Sequence, residues 1–277
     1  MKRMQHHRLL ALGTLLLGAL SPLCSQAQSA PHSLSGNFGL FSDYRFRGIS
    51  QTWLAPALQG GLDYAHASGA YAGVWGSNVS GNSYNNGAGL ELDVYGGYKF
   101  ALSQSLTLDF GALAYVYPGA RLNSAPAQPS NQKYDNLDVY LGLSAGGFTG
   151  KLSVAASDYF GLNSRTAPYA YFSGLAARGS SKGSSYLDLN YRWELASLSE
   201  GLALDAHVGR LTVRRYAELS YTDFKLGVVK SLGGFNLGLA VVGSNADKAY
   251  YQIGNAAGQD AKRVGRTGLV LSLQRSF

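Results

Sequence analysis

The chain has 277 residues, with 36 glycines, 19 tyrosines, 14% charged residues and a formal net charge of +7. Such a composition lacks the lysine and glutamate content of a soluble helical protein. A mean hydropathy of −0.06, with no second apolar run of about 18 residues, excludes a protein that crosses a membrane with helices but not a membrane β-barrel, whose alternating strands average to neutral.

The first 27 residues predict a secretory signal peptide. A basic start is followed by the apolar stretch Leu9–Leu20, which is too short to span a bilayer. Small residues then precede a cleavage point after Ala27. We therefore expect export through the Sec pathway, a linker in the periplasm over residues 28–34 and one domain over residues 35–277.

Removal of the signal peptide would change the charge and the thiol content. Loss of Lys2, Arg3 and Arg8 lowers the formal net charge from +7 to +4, which is too small and scattered to indicate a nucleic-acid partner. Cys24 would leave with the signal peptide, so the mature chain would offer no disulfide or thiolate chemistry. No cofactor and no metal site is expected.

The rest of the chain predicts about twelve strands of about ten residues, the length that a tilted strand needs to cross hydrocarbon. Leu90–Phe100 illustrates the pattern, because apolar side chains share one parity and charged side chains the other. The predicted strands begin near Ser35, Pro56, Ala70, Leu90, Leu106, Leu137, Leu152, Leu187, Leu202, Phe224, Phe235 and Leu269.

The connections between these strands alternate between short and long. A soluble β-sandwich has no reason to shorten every second turn, whereas a bacterial outer-membrane barrel has short periplasmic turns, long extracellular loops and an even strand number. The sequence therefore predicts a closed antiparallel transmembrane β-barrel in the outer membrane. The charged parity would face the lumen, and the apolar parity would face lipid.

The last nine residues predict how the barrel closes. Leu269, Leu271, Leu273 and Phe277 share one face of an alternating strand, and the final strand of a closed barrel must pair with the first. A terminal strand that ends in Phe also resembles the signal by which outer-membrane proteins are handed to the barrel assembly machinery, although Arg275 departs from that pattern. The alternative is an edge strand of a soluble sandwich.

The block Ser42–Gln51, SDYRFRGISQ, resembles the TorF-type porins, a proteobacterial family of unestablished function. The resemblance continues through Pro56–Tyr64, Gly73–Val79 and Glu91–Tyr95. It implies an outer-membrane barrel of the porin type, but it implies no substrate. The long segment Phe160–Ser184 matches no motif of the family.

Ionisable residues on the inward parity form the main candidate site. They would either cross-link the wall or line a polar pore that selects small solutes, because isolated charges there need water or partners. About eight strands leave a filled interior and about sixteen an open channel, so twelve predict a narrow conduit. These residues are Glu91, Asp93, Lys99, Asp109, Asp138, Lys151, Asp188, Arg192, Glu194, Asp205, His207 and Lys225.

The loops carry a second set of charges. Asp43, Arg45 and Arg47 would form either a solute-facing rim or Arg–Asp pairs that order the first loop. The other loops are rich in Lys and Arg, so they would bind lipopolysaccharide phosphates, or they would draw in anions.

Two other function classes were weighed. An outer-membrane hydrolase needs a nucleophile beside a histidine, but the mature chain has only His32, His66 and His207, with no Ser-His-acid spacing. A non-conducting adhesion or scaffolding barrel would use loop aromatics as a binding surface. The expectation is a non-enzymatic channel for small polar or charged solutes.

Overall fold

We analysed a computed structural model, which describes residues 31–83, 88–121, 132–168, 172, 174–254 and 259–277. The predicted signal peptide and the first part of the linker lie outside these residues. Within the described part of the chain, no helix is both long enough and apolar enough to cross a membrane.

Twelve strands within the described residues close into one antiparallel barrel. Each pairs with its neighbours in the sequence, and the first pairs with the last. The strands are β1 His32–Phe41, β2 Ala57–His66, β3 Ala70–Asn78, β4 Leu90–Ala101, β5 Leu106–Val116, β6 Asn136–Ala145, β7 Phe148–Ala155, β8 Ser185–Glu194, β9 Leu202–Thr212, β10 Tyr221–Leu232, β11 Phe235–Ser244 and β12 Gly268–Ser276.

The pairing of β1 with β12 closes the barrel as the C-terminal pattern predicted. Its register runs from Asn37 opposite Ser276 to Phe41 opposite Ser272. Gly36 N donates to Phe277 O at 2.8 Å, and Phe277 N donates to Gly36 O at 2.9 Å. The terminal residue therefore takes part in the hydrogen-bonded seam, which leaves no sheet edge open.

The outer surface of the barrel is apolar because the strands alternate. Leu58, Leu141 and Leu226 are each more than half exposed, and leucine, valine and phenylalanine fill the equivalent positions of the other strands. Buried polar residues lie on the opposite parity. Exposed apolar side chains at such density are stable only in hydrocarbon, so the predicted closed transmembrane barrel is confirmed.

The two ends of the barrel differ as the sequence predicted. We call the end with the tight connections, such as Gly146–Gly147, the turn end, and the opposite end the loop end. The loop end carries further short elements: the strand pairs Arg45–Phe46 with Ile49–Ser50 and Gln252–Ile253 with Lys262–Arg263, the 3-10 turns Tyr159–Gly161 and Ala217–Leu219, and the helix Lys248–Tyr251.

Some strand boundaries differ from the prediction. β9 continues to Thr212, although a loop was expected from Arg210, and β10 begins at Tyr221 rather than at Phe224. β1 begins at His32, ahead of the expected Ser35. The added residues belong to regular ladders, for example Leu211 opposite Tyr221, so backbone pairing extends beyond the part of each strand that hydrophobic alternation marks.

Candidate functional site

The first loop folds into the mouth of the barrel. Residues Arg45–Ser50 form a small hairpin, which we call the inner hairpin, and its Phe46 and Ile49 are buried. Asp43 organises the base of the hairpin, because its carboxylate accepts hydrogen bonds from Ser50 Oγ at 2.5 Å, Thr52 Oγ1 at 3.1 Å and Arg45 Nε at 2.5 Å. These bonds order the first loop around Asp43.

Contacts with the last long loop fix the base of the inner hairpin. Arg45 Nη1 donates to the carbonyl oxygens of Gly48, Val264 and Arg266 at 3.1, 3.2 and 2.9 Å. Ser50 N also donates to Val264 O at 2.9 Å. The sequence left open a solute-facing rim or Arg–Asp pairs that order the first loop. Asp43 and Arg45 form such a pair, and Arg45 also holds two loops together at this position.

The tip of the hairpin is a two-residue turn. Arg47 has φ 50° and Gly48 has φ 75°, and positive φ at both central residues is what a type I′ turn requires. A Cβ at Gly48 would lie 2.5 Å from Asp223 Cβ and 3.1 Å from Gly243 O. Glycine is needed here both for the backbone conformation and for the close approach of the tip to the barrel wall.

The turn places the Arg47 guanidinium inside the barrel. Arg47 Nη2 donates to Asp138 Oδ2 at 2.8 Å, and the side chains are only 3% and 2% exposed. Arg47 Nη1 donates to the Tyr159 hydroxyl at 3.2 Å, and Cζ lies 4.7, 5.7 and 4.4 Å from the ring centroids of Phe46, Tyr159 and Tyr186. We call Asp138, Tyr159 and Tyr186 the Arg47 cage. Burial raises the pKa of the Tyr159 phenol, so it remains neutral.

Two further acids lie beside the cage on the inner face of β4. Glu91 is fully buried and accepts from the hydroxyls of Tyr44 at 2.6 Å and Tyr117 at 2.7 Å. Asp93 is also fully buried, but no described group lies within hydrogen-bonding distance of either of its carboxylate oxygens. With Asp138, this region therefore holds three carboxyl groups against the single guanidinium of Arg47.

One half of the lumen, between β2 and β7, is filled by side chains. The Tyr71 hydroxyl donates to Asp109 Oδ1 at 2.6 Å and also bonds to the Tyr140 hydroxyl, which links β3, β5 and β6. The rings lie across inward glycines, and a Cβ at Gly111 would be 2.5 Å from the Tyr140 hydroxyl. Lys99 Nζ lies 4.9 Å from the Tyr71 ring centroid. This half of the wall is cross-linked.

Similar contacts continue the filled half toward its edge. Tyr95 OH donates to Asp63 Oδ1, and Lys151 Nζ lies 5.4 Å from the Tyr140 ring centroid. The lysines here thus pack on aromatic rings rather than pairing with acids, and no described carboxylate oxygen lies within ion-pair distance of either Lys99 or Lys151.

The other half of the lumen contains a cavity of about 80 Å³, lined mainly by the inner faces of β8–β12. This volume has room for several water molecules. Arg47 and Gly48 border the cavity on the loop side, and Arg192 and Gln274 lie toward the turn end. The cavity therefore runs along one wall beneath the inner hairpin.

His207 is held between two acids in this wall. Its Nε2 lies 2.8 Å from Asp223 Oδ1, and its Nδ1 lies 3.1 Å from Asp188 Oδ1 and 3.0 Å from Asn190 Oδ1. The Tyr186 hydroxyl also donates to Asp223, at 3.0 Å. Both ring nitrogens therefore contact acceptors, and His207 cross-links β8, β9 and β10. None of its described partners is a serine or threonine hydroxyl.

Nearer the turn end, Arg192 bonds to two acids. Its Nε donates to Glu194 Oε1 at 2.6 Å, and its Nη1 donates to Asp205 Oδ1 at 3.1 Å. Lys225 also lines the cavity, yet among the described residues its ammonium group has no carboxylate within 4.0 Å and no hydrogen-bond acceptor. Lys225 is thus available to a solute in the cavity.

The structure divides the predicted lumen residues into three groups, all on the inward parity. Lys99, Asp109 and Lys151 lie in or beside the filled half, and Glu91, Asp93 and Asp138 lie near the Arg47 cage. Arg192, Asp205, His207 and Lys225 line the cavity. Asp188 and Glu194 do not line it, but they bond to His207 and Arg192 from the same wall.

Several residues of the site did not stand out in the sequence. Asp223 lies on the inward parity of β10, one residue ahead of the expected strand start at Phe224. Asp63 lies on the inward parity of β2, inside the strand that the sequence predicted. The alternation places several tyrosines on the inward parity but does not mark them as site residues. Their hydrogen bonds to acids join strands that are not sequence neighbours, so no local pattern shows them.

Within the described residues, no group of three or more His, Cys, Asp or Glu side chains is arranged to hold a metal ion.

Comparison with known sequences identifies the family. A family described as a bacterial protein of unknown function (Gcw_chp) matches residues 25–277 of the chain. The chain belongs to this family. The match spans all twelve strands and the inner hairpin of the Gcw_chp protein. No curated protein matches it in sequence.

Solved membrane-protein structures share only a general similarity with the Gcw_chp protein. A NanC porin aligns with TM-score 0.48 and 10% identity, over 88% of this chain and 99% of that one. Pseudomonas aeruginosa OprD aligns with TM-score 0.37 and 13% identity, over 91% and 67%. A protein from a study of in-meso crystallization of membrane proteins gives TM-score 0.49 and 10% identity, over 88% and 83%. Such low scores do not bear on the function of this chain.

Proposed function

We propose that the protein is an outer-membrane channel for small polar or charged solutes, with a path along the β8–β12 wall. The observation that supports this most directly is the cavity beneath the inner hairpin, which is lined by Arg192, Asp205 and Lys225. The opposite half of the lumen is filled by bonded tyrosines. A twelve-stranded barrel would thus be reduced to a narrow polar slot on one side.

The ion preference should depend on the charges that line the proposed path and not on those of the whole lumen. Among the described residues, nine acids point into the lumen, including Asp63 and Asp223. Five lysines and arginines, including Arg47, and His207 also point inward. Fixed charge of one sign in a low-dielectric passage raises the local concentration of the opposite ion. On the proposed path itself, Asp205 and Asp223 face Arg47, Arg192 and Lys225. The path therefore carries charges of both signs, and we expect no strong preference between small cations and anions.

The proposed location agrees with the Ser42–Gln51 block, which resembles TorF-type porins and forms the inner hairpin. The signal peptide would direct Sec export, and the β12 strand ending in Phe277 would be recognised by the barrel assembly machinery. At the loop end, exposed Lys182 and Arg214 lie together, because Arg214 Nη1 donates to Lys182 O at 3.0 Å. We propose that such basic groups bind lipopolysaccharide phosphates.

Single-channel recording in planar bilayers tests the proposed path. Asp205→Asn removes a carboxylate from the cavity wall, so the ion preference of the conducting steps should shift toward anions. Asp109→Asn is the matched control, because Asp109 lies in the filled half against Tyr71. Equal changes in ion preference for the two variants would contradict a path along β8–β12.

A non-conducting scaffolding barrel is the second candidate, and the inner hairpin is the observation that favours it. Phe46 and Ile49 fill part of the mouth, so a protein that remains silent in bilayers under all voltages and salts would support this role. We do not propose a hydrolase, since His207 is engaged by acids on both ring nitrogens.

A further inference from the structure

We propose that the Arg47 cage is a recognition site for small guanidinium-bearing cations, and that Arg47 of the inner hairpin occupies it as a tethered competitor. This inference rests on the proposed channel function and names its solute class. Asp138 from β6, Tyr159 from the seventh connection and Tyr186 from β8 all face the guanidinium. These groups belong to the barrel and another loop, so they remain if the hairpin tip moves.

The chemistry of the cage suits a cation with planar donors. One guanidinium nitrogen reaches the Asp138 carboxylate at 2.8 Å, and another reaches the Tyr159 hydroxyl at 3.2 Å. The Tyr186 ring centroid lies 4.4 Å from the guanidinium carbon, within the range of a cation–π contact. A guanidinium can make all three contacts at once because its donors are spread in a plane, whereas an ammonium is a point donor.

The surroundings of the cage strengthen its preference for positive charge. Glu91 and Asp93 are fully buried on the neighbouring inner face, and Asp93 has no hydrogen-bond partner among the described groups. With Asp138, this gives three acids and one resident cation. Removal of Arg47 would leave a buried negative site, which a soluble cation could fill.

The position of the cage connects binding to passage. Arg47 and Gly48 border the cavity at its loop side, so the tip of the inner hairpin lies between the mouth and the cavity. A solute that displaces Arg47 must release the tip, while the base stays fixed by Arg45 and Asp43. Competition for one site would thereby couple solute binding to opening, since a ligand shifts a conformational equilibrium by its differential affinity.

Chemical rescue of Arg47→Ala in purified, folded protein tests the site directly. Ethylguanidinium is the fragment that this substitution deletes, and N-ethylurea is an uncharged probe of similar shape. At about ten times its Kd, ethylguanidinium should raise the thermal unfolding midpoint of the variant by roughly 3–6 °C. N-ethylurea should have no effect, and the wild-type protein, whose site is occupied, should respond much less.

Arg45→Ala is the matched control on the same hairpin, because Arg45 bonds to Asp43 and to backbone carbonyls outside the cage. Its unfolding midpoint should not respond to ethylguanidinium. Asp138→Asn added to Arg47→Ala should abolish the response. No stabilisation of Arg47→Ala by ethylguanidinium, or equal stabilisation by N-ethylurea, would overturn the cation site.

Bilayer recordings then separate this proposal from the channel function. If the protein conducts, Arg47→Ala should show a larger conductance than the wild type, and ethylguanidinium should block it from the loop side. A thermal shift in a protein that never conducts would retain the binding site and reject the channel. Conduction by Arg47→Ala without any thermal shift or block would retain the channel and reject the site.

Discussion

Replacing Arg47 by methionine should release the tip of the inner hairpin while the barrel remains folded. The Arg47–Asp138 pair is almost completely buried, and removing one partner of such a pair costs about 3–5 kcal/mol, because the remaining charge is left uncompensated. The barrel ladders do not depend on the hairpin. The free energy of local opening of the hairpin should therefore fall. This corresponds to an opening constant that is about 10²–10⁴ times larger.

Hydrogen exchange measured by mass spectrometry can detect this change. Phe46 pairs with Ile49 next to the tip, so the amides of the tip should exchange about two to four orders of magnitude faster. The Ser50 amide, which donates to Val264 O at 2.9 Å in the fixed base, should remain protected. Peptides from β5 should be unchanged. The double variant Arg47→Met/Asp138→Leu should recover most of the protection, because a buried ion pair can be replaced by apolar groups at little cost. A single-variant acceleration below about tenfold would refute the reasoning.

Four further substitutions test other parts of the protein. Asp93→Leu should raise the free energy of unfolding by about 1–3 kcal/mol, since it replaces an unpaired buried carboxylate by an apolar group of similar size, as thermal unfolding would show. Gly209→Val should lower the free energy of unfolding by about 1–3 kcal/mol in the same assay, because a Cβ at this position would lie 2.5 Å from Tyr186 Cζ, the ring carbon that bears the hydroxyl. Gly142→Ala should be nearly neutral, with its nearest contact at 3.5 Å. The hydrogen bond from Arg178 lowers the pKa of Glu218, so protease resistance of this loop should be present at neutral pH and lost as pH falls through that pKa, and Glu218→Gln should remove the pH dependence.

The fold was predictable because a barrel wall imposes a strict local rule. Lipid on one side and polar groups on the other force period-two alternation, which Leu90–Phe100 shows clearly. The alternation of tight turns, such as Gly146–Gly147, with long loops then predicted that neighbouring strands are antiparallel and that the two ends of the barrel differ. The boundaries were less accurate where polar or aromatic residues continue a ladder beyond the apolar alternation, as with Tyr221.

The site was predictable only in part, for a physical reason. Alternation assigns Asp188 and His207 to the lumen, but it does not say which charges pair, since partners lie on different strands. It also gives no information about a loop that folds back into the mouth. Arg47 therefore resembled a rim cation in the sequence, although the type I′ turn at Arg47 and Gly48 carries it into the interior.

The number of strands alone does not determine the width of the passage. The width depends on inward tyrosine side chains, whose rings pack over glycines of the barrel wall. Inward glycines such as Gly97 and Gly111 leave room for the rings of Tyr71 and Tyr140 to lie flat against the wall. The Tyr71 hydroxyl then bonds to the Tyr140 hydroxyl and donates to Asp109, which links β3, β5 and β6 along this wall. The high glycine and tyrosine content therefore narrows the barrel from one side, and any solute path is confined to the wall that carries His207.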